Sequence, residues 1–312
     1  MADLFIIGQF NGVDSITSVS VGSQVMHMLT VMIVGLAMGS TVSIGQAVGG
    51  NSTKKAARSI GNTVTLFMVL SLVLMAALLL CVNPIVSVIS TPSEAVSGTV
   101  QYLTICFIGI PFITAYNIIS SIFRGMGDSK SPMYFIAVAC VSNILLDYLF
   151  MGAFRMGPAG AALGTTLSQA VSVILSLTVI LRRKSGISVK KTDFRPDRPV
   201  MGRLLKIGVP IALQDGLIQI AFIVITIIAN RRGLNDAAAV GIVEKIISFL
   251  FLVPSSMLST VSALGAQNIG AGKLDRIGPG LKWGAVYSLG LSVVFMAIYL
   301  PFANKIIRLF IP

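Results

Sequence analysis

The chain has 312 residues, of which 55% are hydrophobic and only 11% charged, with a mean hydropathy of +0.91. Soluble domains carry about 25% charged residues, so an ordinary cytosolic globular protein is excluded. The formal net charge of +12 would suit a nucleic-acid partner, but basic loops gathered on one side of a membrane give the same total, so position along the chain must decide.

The bilayer core, about 30 Å thick, takes roughly 20 apolar helical residues to cross. Eight such stretches follow one another, near 20–48, 57–82, 97–122, 132–152, 159–181, 206–230, 237–268 and 280–308. A shorter run from Leu4 to Phe10 opens the chain; it cannot span alone and reads as the tail of a longer helix. Helix ends are expected at Gly49-Gly50-Asn51, Thr91-Pro92-Ser93, Gly125 to Asp128 and Gly157-Pro158. Pro210, Pro254 and Pro301 fall inside spans, where proline frees a backbone carbonyl and bends the helix. Cys81, Cys106 and Cys140 sit in apolar runs without paired spacing and read as packing residues, neither a disulfide framework nor a zinc site. His27 is the single histidine, and no GxxxxGK[ST] phosphate loop occurs, so no cofactor and no ATPase motor are expected.

Alternate loops should collect lysine and arginine on the cytoplasmic side. One set, including Lys54, Lys55, Arg58, Arg124, Lys130, the run from Arg182 to Lys206, and Lys273, Arg276 and Lys282, holds 17 of them. The opposite set holds five: Arg155, Arg231, Arg232, Lys305 and Arg308. This bias predicts a multi-pass cell-membrane protein with a cytoplasmic N-terminal side, and it accounts for the positive charge without nucleic acid.

An internal repeat runs at a constant offset of 221 residues: Gly12 with Gly233, Val19 with Val240, Leu29 with Leu250, Gln46 with Gln267, Gly49 with Gly270, Asn83 with Asn304. Six helices separate the copies, so the halves share orientation about an axis along the membrane normal. The expected fold is therefore an all-α membrane protein of two parallel-repeat six-helix lobes. The first lobe covers 1–183, a basic cytoplasmic linker 184–205, and the second lobe 206–312. By the repeat, this chain holds part of helix one and helices two to nine of twelve, truncated at both ends.

Ionisable residues inside spans cost about 2.5–3.5 kcal/mol each and tend to face an interior cavity. Asp3, Asp147, Asp215, Glu244 and Lys245 qualify. Asn143 lies four residues before Asp147, on the same helical face, so an amide and a carboxylate point together into the bundle and can hold a proton or small cation. Asp147 reads either as that ligand or as a structural carboxylate. Asp215, close after Pro210, either lines the cavity or satisfies backbone freed by the proline. Gln214, Gln24 and His27 join it as candidate lining of a substrate cavity; for His27 the alternatives are a packed polar residue and a proton carrier. Glu244 and Lys245 are expected to snorkel to water.

The chain resembles the multidrug and toxic compound extrusion (MATE) family along its whole length. The likeness rests on A-D-L-F-I-I-G at Ala2 to Gly8, R-G-M-G-D-S-K-S-P at Arg124 to Pro132, N-x-x-x-D at Asn143 to Asp147, and G-P-A-G-A-A-L-G-T at Gly157 to Thr165. The resemblance implies two lobes around a central cavity and export of organic, often cationic, compounds in exchange for sodium ions or protons. It also implies a cation site formed by Asp3, Asn143, Asp147 and Thr165. The helix-seven carboxylate of some family members is replaced here by Ile218. A small organic substrate, the lipid bilayer, Na+ or H+ as coupling ion and a monomeric state follow as expectations, with no enzymatic activity. A flippase of lipid-linked or amphiphilic substrates would want a cationic cavity, and Lys245 is the main cation within the spans; a nonfunctional gene fragment is the other alternative.

Overall fold

Apolar runs punctuated by glycine, asparagine and proline become helices in the computed structural model, which describes residues 2–89, 91–182, 187–232, 240, 243, 247 and 250–308. In chain order these are α1 (Ala2–Phe10), α2 (Val13–Gly49), α3 (Thr53–Leu80), α4 (Val82–Val88), α5 (Val96–Ile108), α6 (Ile110–Gly125), α7 (Lys130–Asp147), α8 (Gly157–Arg182), α9 (Arg198–Arg232), α10 (Leu252–Gly270) and α11 (Ile277–Arg308). Among the described residues there is no strand. Six helical stretches are long and apolar enough to cross a membrane, or seven when α5 and α6 count as one bent span. The outer faces carry exposed large apolar side chains such as Val73, Leu80 and Leu289, the surface a helix needs against lipid.

Four boundaries differ from the hydropathy reading. First, α2 starts at Val13, seven residues before the apolar run, because its polar first turns are satisfied locally: Thr17 Oγ1 donates to the Val13 carbonyl at 3.0 Å and Ser18 Oγ to the Asp14 carbonyl at 2.8 Å. Second, the expected helix 97–122 breaks at Gly109 and bends by 48°. Pro111 supplies the start of α6, and Thr166 of α8 presses against Gly109, where a Cβ would lie 2.7 Å from its side chain. Third, α7 passes after Asp147 into a wider π-helical turn over Tyr148–Ala153. Fourth, α9 begins at Arg198 rather than 206, so residues 198–205 of the expected linker are helical. Pro210 and Pro301 are accommodated inside α9 and α11. Glu244, Lys245 and the start of the expected span 237–268 lie outside the described residues.

Part of the basic linker is docked rather than loose. Its short 3-10 turn at Lys191–Phe194 lies on α3, where Gly61 leaves room for the Asp193 carbonyl. Asn62, fully buried, donates from Nδ2 to the Asp193 carbonyl at 3.2 Å and accepts at Oδ1 from the Asp197 backbone at 2.7 Å. Thr65 Oγ1 donates to the Phe194 carbonyl at 2.8 Å, and Arg58 pairs with Asp197. These bonds pair backbone groups of the linker with side chains of α3, and they fix the N-terminal end of α9 to the first lobe.

α2 is the hub of the bundle, packed on α9, α10, α6, α5 and α3. Small residues let the backbones approach: Gly39 and Gly208 each leave no space for a Cβ against the facing helix, Gly39 against the Leu204 carbonyl and Gly208 against that of Leu36. The main apolar core of the first lobe joins Ile6 and Ile7 of α1, Val19 and Met26 of α2, Tyr102 and Phe107 of α5, and Ala161 and Ala162 of α8. That core seats α1, and so Asp3, against the helices carrying the other candidate site residues.

Candidate cation site in the first lobe

Asp147 ends α7 as a fully buried carboxylate. Its depth depends on Gly164 of α8, because a Cβ there would overlap Asp147 Oδ1. The glycine in G-A-A-L-G-T is thus a space left for an acid. Asn143, one turn back, donates from Nδ2 to Asp147 Oδ1 at 3.4 Å, the contact that the four-residue spacing anticipates. Asp147 Oδ2 is buried and receives no hydrogen bond. Asp3, half-buried on α1, is drawn to the same place through Thr165, the neighbour of Gly164. Thr165 Oγ1 donates to Asp3 Oδ2 at 3.3 Å. All four residues therefore lie in one pocket built by α1, α7 and α8.

Tyr102 of α5, absent from the sequence-derived set, belongs to the same apolar core as Ile6 and Ile7 of α1 and Ala161 and Ala162 of α8. It is 2% exposed, and its ring packs against Gly22 of α2. Its signal in the sequence was faint: one polar aromatic in Q-Y-L-T-I-C-F, four residues before Cys106, which it contacts. The other quoted motif has a separate use. Gly127 adopts φ +88°, a left-handed turn, and Asp128 then accepts from the Lys130 and Ser131 backbones at 3.1 and 3.0 Å and from Ser131 Oγ at 2.6 Å. That is a helix cap for α7 and no part of the pocket.

The remaining candidates lie outside this pocket. Gln24 and His27 share an exposed face of α2. Gln214 of α9 lies on a largely apolar, open face of that helix with Pro210, Leu213, Leu217, Ile218 and Ala221. Asp215 turns toward α2, where its Oδ2 lies 3.1 Å from the position a Cβ on Gly35 would take. Asp215 therefore belongs to the α2–α9 interface and not to the pocket around Asp147.

Two carboxyls, an amide and a hydroxyl form an oxygen-rich, anionic donor set suited to a proton or a hard monovalent cation. Among the described residues, no group of three or more histidine, cysteine or acidic side chains is placed to hold a metal ion.

Comparison with known proteins adds to this geometry. The MatE family model matches residues 1–149 and 210–312. The probable multidrug resistance protein YoeA of Bacillus subtilis is 28% identical over 318 residues, covering all of this chain and 69% of its own length. The probable multidrug resistance protein YpnP of the same organism is 31% identical over 276 residues, covering 88% of this chain and 61% of its own. A solved multidrug-resistance transporter in an outward-facing conformation superposes with a TM-score of 0.89 at 20% identity, over 99% of this chain and 69% of that one, a likeness of fold. The chain thus spans between about three-fifths and seven-tenths of the length of these proteins.

Proposed function

This chain belongs to the MatE family of multidrug efflux transporters, and on that footing we propose that it exports organic, often cationic, compounds in exchange for Na+ or H+ by alternating access. The observation that carries the reading is the fully buried Asp147, with one oxygen lacking any donor and the Asp3 carboxyl beside it. Leaving a buried acceptor unsatisfied costs about 1–3 kcal/mol, and more for a charged one. Two carboxylates at this depth also repel each other. A proton shared between them, or a sodium ion on the oxygens of Asp3, Asn143, Asp147 and Thr165, relieves both costs.

Coupling then needs only differential affinity. Cation binding favours one arrangement of the lobes and substrate binding the other, and a cationic compound is released when the pocket gains its own positive charge. By the distribution of basic loops, the end of the bundle carrying 50–58, 124–130 and 271–282 faces the cytoplasm. The apolar α9 wall with Gln214, and the α2 face with Gln24 and His27, are the surfaces offered to the organic substrate.

The test is dye export from cells loaded with an ethidium-like cation. Asp147→Asn is expected to abolish export at normal surface expression; unchanged export would reject the assignment. A sodium titration at fixed pH separates the two coupling ions, since rates indifferent to sodium point to protons.

A further inference from the structure

The 221-residue repeat has a physical consequence at one end of the molecule. Gly49 of α2 and Gly270 of α10 are repeat counterparts, and so are Gln46 and Gln267. In space these four meet one another. A Cβ on Gly49 would fall on the Gln267 backbone carbonyl, 2.7 Å from its carbon and 2.8 Å from its Cα. A Cβ on Gly270 would fall on the Gln46 carbonyl in the same way, 2.7 Å from its carbon and 2.9 Å from its Cα. One turn earlier, a Cβ on Gly45 would lie 3.1 Å from the Cβ of Ala266, and these positions are also 221 apart. The contact is thus isologous, as at a two-fold dimer interface: residue i touches j and j touches i. Gln267 then adds a bond with no counterpart in the described residues, donating from Nε2 to the Gly125 carbonyl at the end of α6, 3.0 Å away.

We infer that Gly49, Gly270 and the Gln267 amide form the seal that holds the two lobes together at the basic-loop end, and that this seal parts when the transporter opens to that side. The opening step rests on the alternating-access reading above; the seal itself rests on the contacts. Backbone-to-backbone packing through glycine forms only at one separation of the helices. Any side chain at Gly49 or Gly270 holds them apart, since nonbonded heavy atoms settle about 3.5–4.0 Å from one another. A contact made of matching surfaces also explains why these repeat positions keep Gln and Gly in both lobes.

The test places spin labels at the exposed Lys54→Cys and Lys273→Cys, with exposed Cys81 and Cys140 replaced by serine, in lipid nanodiscs. The parent is expected to show a dominant short-distance population. Gly49→Leu and Gly270→Leu should each lower the ratio of closed to open populations about tenfold or more. Gln267→Ala, which adds no atoms, should lower it less, and Gly278→Leu, placed in open space, should leave it unchanged. Should a leucine variant fail to fold, Gly49→Ala and Gln267→Ala carry the same reading. Distance distributions of Gly49→Leu, Gly49→Ala and Gln267→Ala that all match the parent would overturn the seal. Dye export by the parent separates this from the functional reading. Unchanged distances with cation-dependent export refute the seal alone, while shifted distances with cation-independent export support the seal and refute the antiport.

Discussion

Gly164→Ala tests the pocket through a residue that carries no charge and binds nothing. In an unencumbered helix interior, glycine to alanine stabilises by about 0.5–1 kcal/mol, so helix propensity alone predicts a gain. Here the new methyl lands on Asp147 Oδ1 and 3.2 Å from its Cγ, inside the ~3.5–4.0 Å of ordinary contact. Either α7 and α8 separate or the carboxylate turns away, and turning breaks the Asn143 bond, already long at 3.4 Å. Overpacking of this kind costs about 1–3 kcal/mol. At about 1.4 kcal/mol per factor of ten, cation affinity should fall about 5- to 150-fold. The assay is thermal stability of purified protein across a sodium titration at fixed pH and across pH at fixed sodium, with Gly202→Ala as the control in open space. Half-saturation equal to wild type in Gly164→Ala would refute the argument that Gly164 exists to admit the acid.

Four further substitutions separate roles. Thr165→Val keeps the shape of α8 but removes the hydroxyl that donates to Asp3; that bond favours the carboxylate, so its loss should tighten proton binding, whereas a sodium ion loses an oxygen ligand and should bind more weakly, and the same titration should move the two half-saturations in opposite directions. Tyr102→Phe keeps the ring packed on Gly22 and removes only the hydroxyl; the melting temperature without cation and the cation response should both hold, and a shifted response would make Tyr102 more than a packing residue. Asn62→Ala strips the two bonds that Asn62 makes to the linker backbone, a loss of about 2–3 kcal/mol, and should expose residues 187–197 to limited proteolysis. Arg58→Ala removes an ion pair whose arginine is 61% exposed, so proteolysis should change little, the pair contributing below about 1 kcal/mol.

Much of this architecture is legible without coordinates, because a bilayer allows few solutions for a polar backbone. Apolar length marked the helices, and α3, α8 and α11 end within a few residues of the hydropathy limits. Hydropathy misses Val13–Val19, whose hydroxyls bond within their own helix or, for Ser18, also to the Ala95 carbonyl at 2.9 Å, so polarity there does not mean a loop. The bend at Gly109 and the π turn after Asp147 escaped because each depends on a neighbour pressing from another helix or on backbone pairing that no residue type announces. Within the site, Asn143 and Asp147 were joined by helical spacing alone. Asp3 and Thr165 are 162 residues apart, and only family likeness linked them before packing brought α1 against α8. Asp215 and the pocket were not separable from sequence, since a buried carboxylate near a proline reads alike whether it faces a cavity or another helix. Gln46, Gln267, Gly49 and Gly270 were visible as a repeat, but nothing in a linear pattern says that the copies touch.

The antiport proposed above requires Asp147, beside Asp3, to take up and give back a positive charge in each cycle. The most direct measurement is cation uptake by the purified protein: protons bound between about pH 5 and pH 9, and sodium bound at fixed pH, in wild type and Asp147→Asn. The account predicts saturable uptake of a proton or a sodium ion that the variant lacks while its fold persists. Identical proton and sodium uptake by the two proteins would contradict it.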